Sequence, residues 1–524
     1  MALLDTVNRA GLLDPRRLPA LAIATARWGP TAAASFAASA ISSPGGAAVI
    51  DDLGVLTFSE LDSRSTKLAT GLHRLGLRRG DHVGVACRNH RDFVELTVAA
   101  AKAGLGIVYL NTSFAAPQMS EVLRREEVAA LAIDAALLHQ LDPSSFDAPA
   151  IITGPDHAAD TRPPRSAVHI DAVREGGGFR LPLRASLPVP PILLTSGTTG
   201  TPKGARRSSR VDPAAATGII DRIPYRHDDI VAITSPLFHA WGLAQMVLAS
   251  ALGATVALTE TFDAADTLRQ IETERVTVLA VVPAILQRLL GSPALDSTDL
   301  SSLRIVASSG SALPVPVVEE WLDRVGPNLY NLYGSTEVGQ ATLATPEDLA
   351  SEPATAGRTM PGSVVSIFDD VGNAVDDGTI GRIFVGNGAQ FEQYTGGGGK
   401  EVIDGLMSTG DVGYLRADGL LFITGRADDM IVSGGENVFP LEVEDLLLAD
   451  PRIEDAAVVG VDDPGLGQRL VVYAVKVPGA RLSVADVKRL VSQNLARHKT
   501  PRDVFFIDEV PRTATGKIRR NELS

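Results

Sequence analysis

The chain predicts an α/β protein built on a mainly parallel sheet. From Thr57 onward, short apolar runs alternate with stretches of helical length and periodicity. Each apolar run stops at a Gly-, Pro- or Ser-rich turn. Strands that alternate with such helices need crossover connections, which lay neighbouring strands parallel. The 524 residues are 45% hydrophobic and 21% charged, enough for a large core and too apolar for wholesale disorder.

At the N-terminus, Arg16-Arg17, the apolar Leu18 to Ala24 and the small Ala38-Ser39-Ala40 imitate a secretion signal. Asp5 and Asp14 precede the arginines, and Arg27, Trp28 and Pro30 break the segment between its apolar and small-residue parts, so the imitation fails. Residues 1–40 are read as a helical arm packed on the body, the alternative being an arm in peripheral contact with a membrane. No uninterrupted run of about 18 apolar residues exists, so no transmembrane segment is expected. Ser59 reads as a helix cap with Glu60 behind it, and Leu61, Leu68, Leu72 and Leu75 recur at near-helical spacing. The run "DHVGVACRN" reads as a buried strand, "RDFVELTVAAAKAGL" as a helix ended by Gly104, and "IVYLN" as the next strand. Further buried strands are read at Pro191–Thr195, Ile230–Thr234, Val278–Val282 and Arg304–Ser308. In open α/β sheets ligands gather at the C-terminal ends of such strands.

Residues 141–190 are rich in Pro, Asp and Ala and read as a surface excursion. Short strands and Gly turns over about 360–425 predict a β-rich subdomain. Beyond Arg426 the pattern becomes α+β, with hairpin-like strands and a helix near Ser483–Leu495. Gly396–Gly399 reads as a flexible loop.

Composition excludes several functions. Lys and Arg total 48 against 62 Asp and Glu, a net charge of −14, and aromatics are 5%. A phosphate-backbone binder needs a basic surface, so no nucleic-acid partner is expected. Cys87 is the sole cysteine, which excludes an intramolecular disulfide and a Cys-rich metal site. This agrees with a reducing, cytoplasmic setting.

The strongest chemical signal begins where a strand (Leu193–Thr195) runs into Ser196-Gly197-Thr198-Thr199-Gly200-Thr201-Pro202-Lys203-Gly204. Three glycines let the backbone N–H groups turn toward an anion at close range. The hydroxyls add donors and Lys203 adds a point charge. The segment is a phosphate cradle but not a Walker A loop, because Pro202 precedes the lysine where glycine is required.

This loop resembles the signature of the adenylate-forming superfamily of acyl-CoA synthetases, peptide-synthetase adenylation domains and luciferases. Other motifs of that family recur in order: "LYGSTE" (332–337), "STGD" (408–411), "GRADDMIVSGGENVFPLEVE" (425–444) and "PRTATGKIRR" (511–520). The weaker "PLFH" (236–239) and "SSGSAL" (308–313) lie between them. The resemblance covers about residues 45–524.

It implies an α/β fold with a large N-terminal AMP-binding domain, residues 1–426. That domain would hold two α/β lobes and a small β-barrel-like part. A small mobile α+β C-terminal domain, residues 427–524, would complete the chain. For ATP and AMP it implies Thr195, Ser196, Gly197, Thr198, Thr199, Gly200 and Lys203 on the phosphates. Gly310, Ser311 and Ala312 would face adenine, with Tyr333, Gly334, Ser335 and Thr336 opposite. Asp411 would receive the ribose hydroxyls, because a carboxylate only accepts and hydroxyls donate. Arg426 would add a second contact. Glu337 resembles the Mg2+ ligand, with Thr198 beside it.

Lys517 matches the lysine that stabilises adenylation, where one anion attacks another. Lys203, Thr198, Glu337 and His239 complete the implied catalytic set. His239, Trp241, Gly242 and Gly334 would border the acyl pocket. Ser433, Gly434 and Gly435 would flank the passage for CoA, and Asp428 would be the hinge.

The implied activity is an ATP-dependent acyl-CoA ligase acting through acyl-AMP on a small-molecule carboxylic acid, a medium- or long-chain fatty acid by preference. The alternatives are an acyl-AMP ligase that loads a carrier protein and a catalytically inactive nucleotide-binding scaffold. The enzyme is expected in the cytoplasm, as monomer or homodimer. Two segments depart from the family: Asp404-Gly405-Leu406 lacks the usual aromatic, and Thr395–Gly399 replaces a Pro- and Thr-containing loop.

Overall fold

A computed structural model describes residues 10–11, 14–142, 144, 146–154, 166–175, 189–195, 202–207, 213–433 and 435–523. The chain forms two compact units, one of residues 1–281, 291–307 and 389–399, the other of 282–290, 308–388 and 400–524.

The first unit opens with the arm read at the N-terminus. Helices α1 (Arg17–Trp28) and α2 (Ala32–Ser42) form it. Ala33, Ala34, Phe36, Ala37 and Ala38 of α2 are buried, and the small side chains let the helix lie close to the body. Arg17 donates to the carbonyls of Ala251 and Leu252, which ties α1 down. Helix α3 (Phe58–Arg74) buries Leu61, Leu68 and Leu72. Its cap is Thr57, not Ser59: the Thr57 hydroxyl accepts from the Glu60 N–H, and the Glu60 carboxylate accepts from the Thr57 N–H at 2.8 Å. The capping box closes at Thr57 because Phe58 buries as the first helical residue. Helix α4 (Arg91–Ala103) ends at Gly104, whose φ of 71° is left-handed.

Seven strands build the first sheet: β1 (His82–Ala86), β2 (Gly106–Tyr109), β3 (Val128–Asp134), β4 (Ala150–Thr153), β5 (Ala167–His169), β6 (Ile192–Leu194) and β7 (Gly204–Arg207). Their order is β7-β6-β2-β1-β3-β4-β5, with strand Phe391–Tyr394 on the β7 edge. The pairs from β6 to β5 are parallel, as the sequence predicts. The surface excursion expected at 141–190 is corrected in part, because β4 and β5 extend the sheet and Ala150 and Ile151 are fully buried.

A second sheet in this unit pairs β8 (Ile230–Ile233), β9 (Thr255–Leu258) and β10 (Val278–Val281) in parallel. The hairpin Ala47–Asp51/Gly54–Thr57 adds to the β9 edge. Helix α5 (Ala240–Leu252) comes after β8.

The second unit carries β11 (Leu329–Ser335), β12 (Gly339–Ala344), β13 (Gly357–Thr359), β14 (Val364–Phe368), β15 (Gly381–Gly386), β16 (Leu406–Leu415) and β17 (Leu420–Arg426). They form an open antiparallel array in the order β14-β15-β16-β17-β13-β12-β11. The barrel-like closure expected for residues 360–425 is therefore not formed, because β17 pairs onward to β13 instead of back to β14.

The C-terminal region has its own sheet of β18 (Ile431–Ser433), β19 (Glu436–Val438), β20 (Ile453–Asp463), β21 (Gly467–Lys476) and β22 (Asp503–Phe506). Helices α6 (Pro440–Leu448) and α7 (Val484–Asn494) bury Val443, Leu447, Val487 and Val491 in one core with Val458 and Val472 of the sheet. Among the described residues, no helix is long and apolar enough to cross a membrane.

Candidate active site

In the second unit, β11 and β12 form a hairpin with Thr336, Glu337 and Val338 in its turn and Gly339 at φ 74°. A three-residue turn closed by a left-handed glycine bends the chain sharply. Glu337 therefore projects from a hairpin tip, not from a helix start. Its carboxylate accepts from the Ser335 hydroxyl at 3.0 Å, while the Ser335 oxygen accepts from the N–H groups of Glu337 and Val338. Gly334 is required by the hairpin itself: a Cβ there would lie 2.1 Å from the Gly339 carbonyl oxygen.

Strands β16 and β17 place Asp411 opposite Arg426. The Tyr333 hydroxyl donates to Asp411 Oδ2 at 2.6 Å, and Arg426 Nη1 donates to Oδ1 at 3.2 Å. Burial and the Asp411 charge push the Tyr333 phenol well above its usual range, so it stays protonated and donates. Arg426 also grips Asp428 through two nitrogens at 2.9 and 3.1 Å. Burial acts to raise the Asp428 carboxyl, but the Arg426 contact overcomes it and holds the group below its usual range. The residue assigned as hinge is thus clipped to the residue that steadies Asp411.

Lys517 stands in a turn that Gly516 makes with φ 83°, closed by Thr513 N–H donating to the Lys517 carbonyl at 2.8 Å. Arg512 anchors the turn, donating to Gly516 O at 2.6 Å and pairing with Asp455. The same turn abuts the 308–313 segment: a Cβ at Gly516 would lie 3.5 Å from Ser311 Oγ, and one at Gly310 3.9 Å from Thr515. Ala312 is exposed beside them. Lys517 is exposed by surface area, yet protein crowds around its ammonium. That enclosure lowers its pKa, Asp411 and Glu337 raise it, and Arg426 and Lys400 lower it. The structure therefore brings Lys517, Tyr333, Glu337, Asp411 and Arg426 into one electrostatic neighbourhood. Arg520 is a structural tie, donating to Glu444, Asp429 and the Val458 carbonyl.

In the first unit, Thr195 and Lys203 close the stem of the phosphate loop. The Thr195 N–H and hydroxyl donate to the Lys203 carbonyl at 2.9 and 3.1 Å. Ser196, Gly197, Thr198, Thr199 and Gly200 lie outside the described residues. Lys203 is exposed, its ammonium 5.3 Å from the centre of the Tyr394 ring. Thr395, at the head of the glycine run, donates to Glu126 at 2.6 Å and accepts from the Gly204 N–H, so one end of that loop is anchored.

A narrow cleft beside the stem is lined by Tyr109, Asn111, Phe114, Thr195, Phe238 and His239. His239 caps α5. Trp241 donates its indole N–H to the Val281 carbonyl at 3.0 Å, and a Cβ at Gly242 would lie 2.4 Å from Pro236 O. Both hold the His239 segment in place.

Of the residues assigned to CoA, Ser433 is buried at the end of β18, and Gly434 lies outside the described residues. Gly435, at φ 85°, turns the β18–β19 hairpin. Two supporting residues carry no signal in the motifs. Lys400 donates to the Thr409 carbonyl at 3.0 Å beside the "STGD" segment. Asn387 donates to the Val338 and Gln340 carbonyls at 2.9 and 2.8 Å and braces the Glu337 hairpin. Its setting between Gly386 and Gly388 signals only a turn.

Residues 36–395 match the family model described as "AMP-binding enzyme", and 442–517 the one described as "AMP-binding enzyme C-terminal domain". The chain belongs to the adenylate-forming, AMP-binding enzyme family. It is 34% identical over 476 residues to an indoleacetate–CoA ligase of Aromatoleum aromaticum, covering 89% of this chain and 92% of that one. It is 30% identical over 491 residues to a fatty acid–[acyl-carrier-protein] ligase, ScoC, of Streptomyces coeruleorubidus, covering 91% and 92%. Among solved structures it is similar to an o-succinylbenzoate CoA synthetase from Bacillus subtilis in complex with its acyl-adenylate. That match has 26% identity, a TM-score of 0.79, and covers 94% of this chain and 97% of that chain. As an AMP-binding enzyme, the protein has the α/β fold that its motifs implied.

Proposed function

We propose that the protein is an ATP-dependent, AMP-forming acid–CoA ligase. The observation that carries this reading is the Lys517 turn seated in the neighbourhood of Tyr333, Glu337, Asp411 and Arg426. The substrate carboxylate attacks the α-phosphorus of ATP, the bond to the β-phosphate oxygen breaks, and pyrophosphate leaves. Both reactants are anions, so a positioned cation lowers the barrier, and Lys517 is that cation. Asp411 receives the ribose, held in place by the Arg426 and Tyr333 donors. The 195–203 loop cradles the phosphates. Glu337, steadied by Ser335, and Thr198 would hold a Mg2+ ion, which neutralises phosphate charge when bound. In the second step the CoA thiol attacks the acyl-adenylate carbonyl, its proton goes to solvent or AMP, and AMP leaves. No protein nucleophile is needed, so rate comes from positioning and electrostatics.

We assign the acid to the ring-bearing class, in place of the fatty acid preferred from the motif alone. Support comes from the indoleacetate and o-succinylbenzoate relatives and from the Tyr109, Phe114 and Phe238 rings lining the cleft. A second reading, fatty-acid loading of a carrier protein, is favoured by the ScoC relative.

Product analysis by mass spectrometry tests both. Purified protein receives Mg·ATP and a mixture of aryl, arylalkyl and short- to long-chain acids, with and without CoA. Aryl-CoA formed with AMP supports the ligase. Fatty acyl-AMP that accumulates whether or not CoA is present overturns it in favour of carrier loading.

A further inference from the structure

We propose that Asn89 is a positioning residue that latches the segment Ile233–His239 and thereby sets the cleft in which Phe238 and His239 stand. The inference deepens the ligase reading and rests on it for its kinetic part alone.

Strand β1 ends in Cys87-Arg88-Asn89-His90, at the edge of the first sheet's C-terminal face. Strand β8 of the second sheet ends in Thr234 to His239. Both belong to the first unit. Asn89, 7% exposed, spans the two. Its amide nitrogen donates to the Ile233 carbonyl at 3.2 Å and the Ser235 carbonyl at 3.0 Å. Its amide oxygen accepts from the Leu237 N–H at 2.9 Å. Two donors and one acceptor on a planar amide match two carbonyls and one N–H across five residues of backbone.

The latch is itself rigid on the β1 side. Arg88 pairs with Asp134 at 3.3 Å and with Glu260 at 2.5 Å, and His90 meets the other oxygen of Asp134 at 2.9 Å. The segment is gripped from the far side by Gly242, where any side chain would strike the Pro236 carbonyl. Beyond Leu237 the chain delivers Phe238 and His239 to the cleft that Tyr109, Phe114 and Thr195 complete. Asn89 does not line that cleft, so its influence passes through the Leu237 backbone. A site held on rigid elements by buried hydrogen bonds is the arrangement that fixes side chains to within fractions of an ångström.

Alanine at 89 removes all three bonds and leaves two buried carbonyls and an N–H unpaired. Aspartate keeps the acceptor but turns a carboxylate on two carbonyls. Serine is the mild variant for the case in which alanine does not fold.

The test uses full-length protein labelled in its histidine rings, with the His239 resonance assigned from His239→Gln. In Asn89→Ala, or Asn89→Ser if alanine fails to fold, the His239 resonance shifts without substrate. The KM for the carboxylic acid rises about tenfold while the KM for ATP stays within about twofold. Asn89→Asp is more severe than Asn89→Ala on both readouts. Lys102→Met, which uncages a buried lysine elsewhere in this unit, lowers the melting temperature and moves neither readout. An unmoved His239 resonance in a folded variant, or an equal shift in Lys102→Met, overturns the latch. A moved resonance in a protein that makes no acyl-CoA keeps the latch and overturns the ligase reading.

Discussion

Tyr333, Asp411, Arg426 and Lys517 form one electrostatically linked group. Asp411 takes a hydrogen bond from each of Tyr333 and Arg426, so it is fixed before a ribose arrives. In the proposed mechanism, Lys517 supplies its charge to the adenylation half-reaction alone. Lys517→Ala should lower adenylation, measured as pyrophosphate exchange, by about 100-fold to 1,000-fold. Thioester formation from supplied acyl-AMP should fall by less than about tenfold. Equal losses in both half-reactions would contradict the division of labour.

A second residue-scale prediction concerns the buried pair His90–Asp134. Burial lowers the His90 pKa, but the hydrogen bond and charge of Asp134 overcome it and raise the group above its usual range. Burial likewise raises Asp134, and its donors overcome that and hold it at about 2. His90 therefore contributes stability that is fully present below the ordinary histidine range and is lost as pH rises through its raised folded pKa. Asp134 contributes stability present above the ordinary carboxyl range and lost as pH falls toward 2. Asp134→Asn should cost about 3–5 kcal/mol at pH 6, as removing one partner of a buried pair does. The loss should shrink at pH 9, because His90 sheds its proton as pH rises through its raised pKa. Urea midpoints at the two pH values decide it, and a loss independent of pH would remove the pair from the stability account.

At the scale of elements, hairpins and caps do most of the placing. The β11–β12 hairpin sets Tyr333 and Glu337 by strand register, and the Ser335 hydroxyl orients the carboxylate at its tip. Helix α6 contains the opposite case, a carboxyl kept at a cost. Asp445 has an oxygen buried without a partner, and burial, aided by the Glu444 charge, raises its pKa to about 7. A carboxyl whose folded pKa is raised stabilises only while protonated, so its burden grows as pH climbs from the ordinary carboxyl range to about 7. Asp445→Asn should therefore raise stability by roughly 1–3 kcal/mol at pH 8. The gain should vanish near pH 4. Thermal melts across that range check it, and a gain that is flat with pH would exclude burial of the charge as the cause.

For the whole molecule, the C-terminal region rests within the second unit, against the 284–287 and 311 segments. The Gln287 amide donates to the Glu454 carbonyl at 2.6 Å, and the Gly516 turn lies against Ala284 and Ser311. Thioester chemistry in the proposed cycle requires this region to turn about Asp428, which frees the Arg426 clip. Proline at 428 removes the backbone freedom a hinge needs. Asp428→Pro should leave pyrophosphate exchange within about threefold and lower acyl-CoA formation by about 100-fold. Single-turnover measurements of each step separate the two effects, and an unchanged overall rate would move the hinge elsewhere.

The order of elements and the family were both legible in the sequence. Apolar runs placed β1, β2, β6, β8 and β10, and Gly104 ended α4 where expected. These features arise from local chemistry: side-chain period, caps, and residues that only one function needs together. Lys517, Glu337, Asp411 and Arg426 were singled out because the motifs that hold them resemble those of the adenylate-forming family.

Other features arise from contacts between segments far apart in sequence, which no local pattern encodes. The choice of Thr57 over Ser59 as cap depended on Phe58 burying. The open array in place of a barrel depended on β17 pairing with β13. The Tyr333 bond to Asp411, the Arg426 clip on Asp428 and the Asn89 latch each depend on where the fold sets the partner. The sequence by itself determined the family to which the protein belongs, through motifs that recur in order. Only the tertiary structure decided which neighbours hold each group, because burial and hydrogen bonding at a site depend on segments that arrive there from elsewhere in the chain.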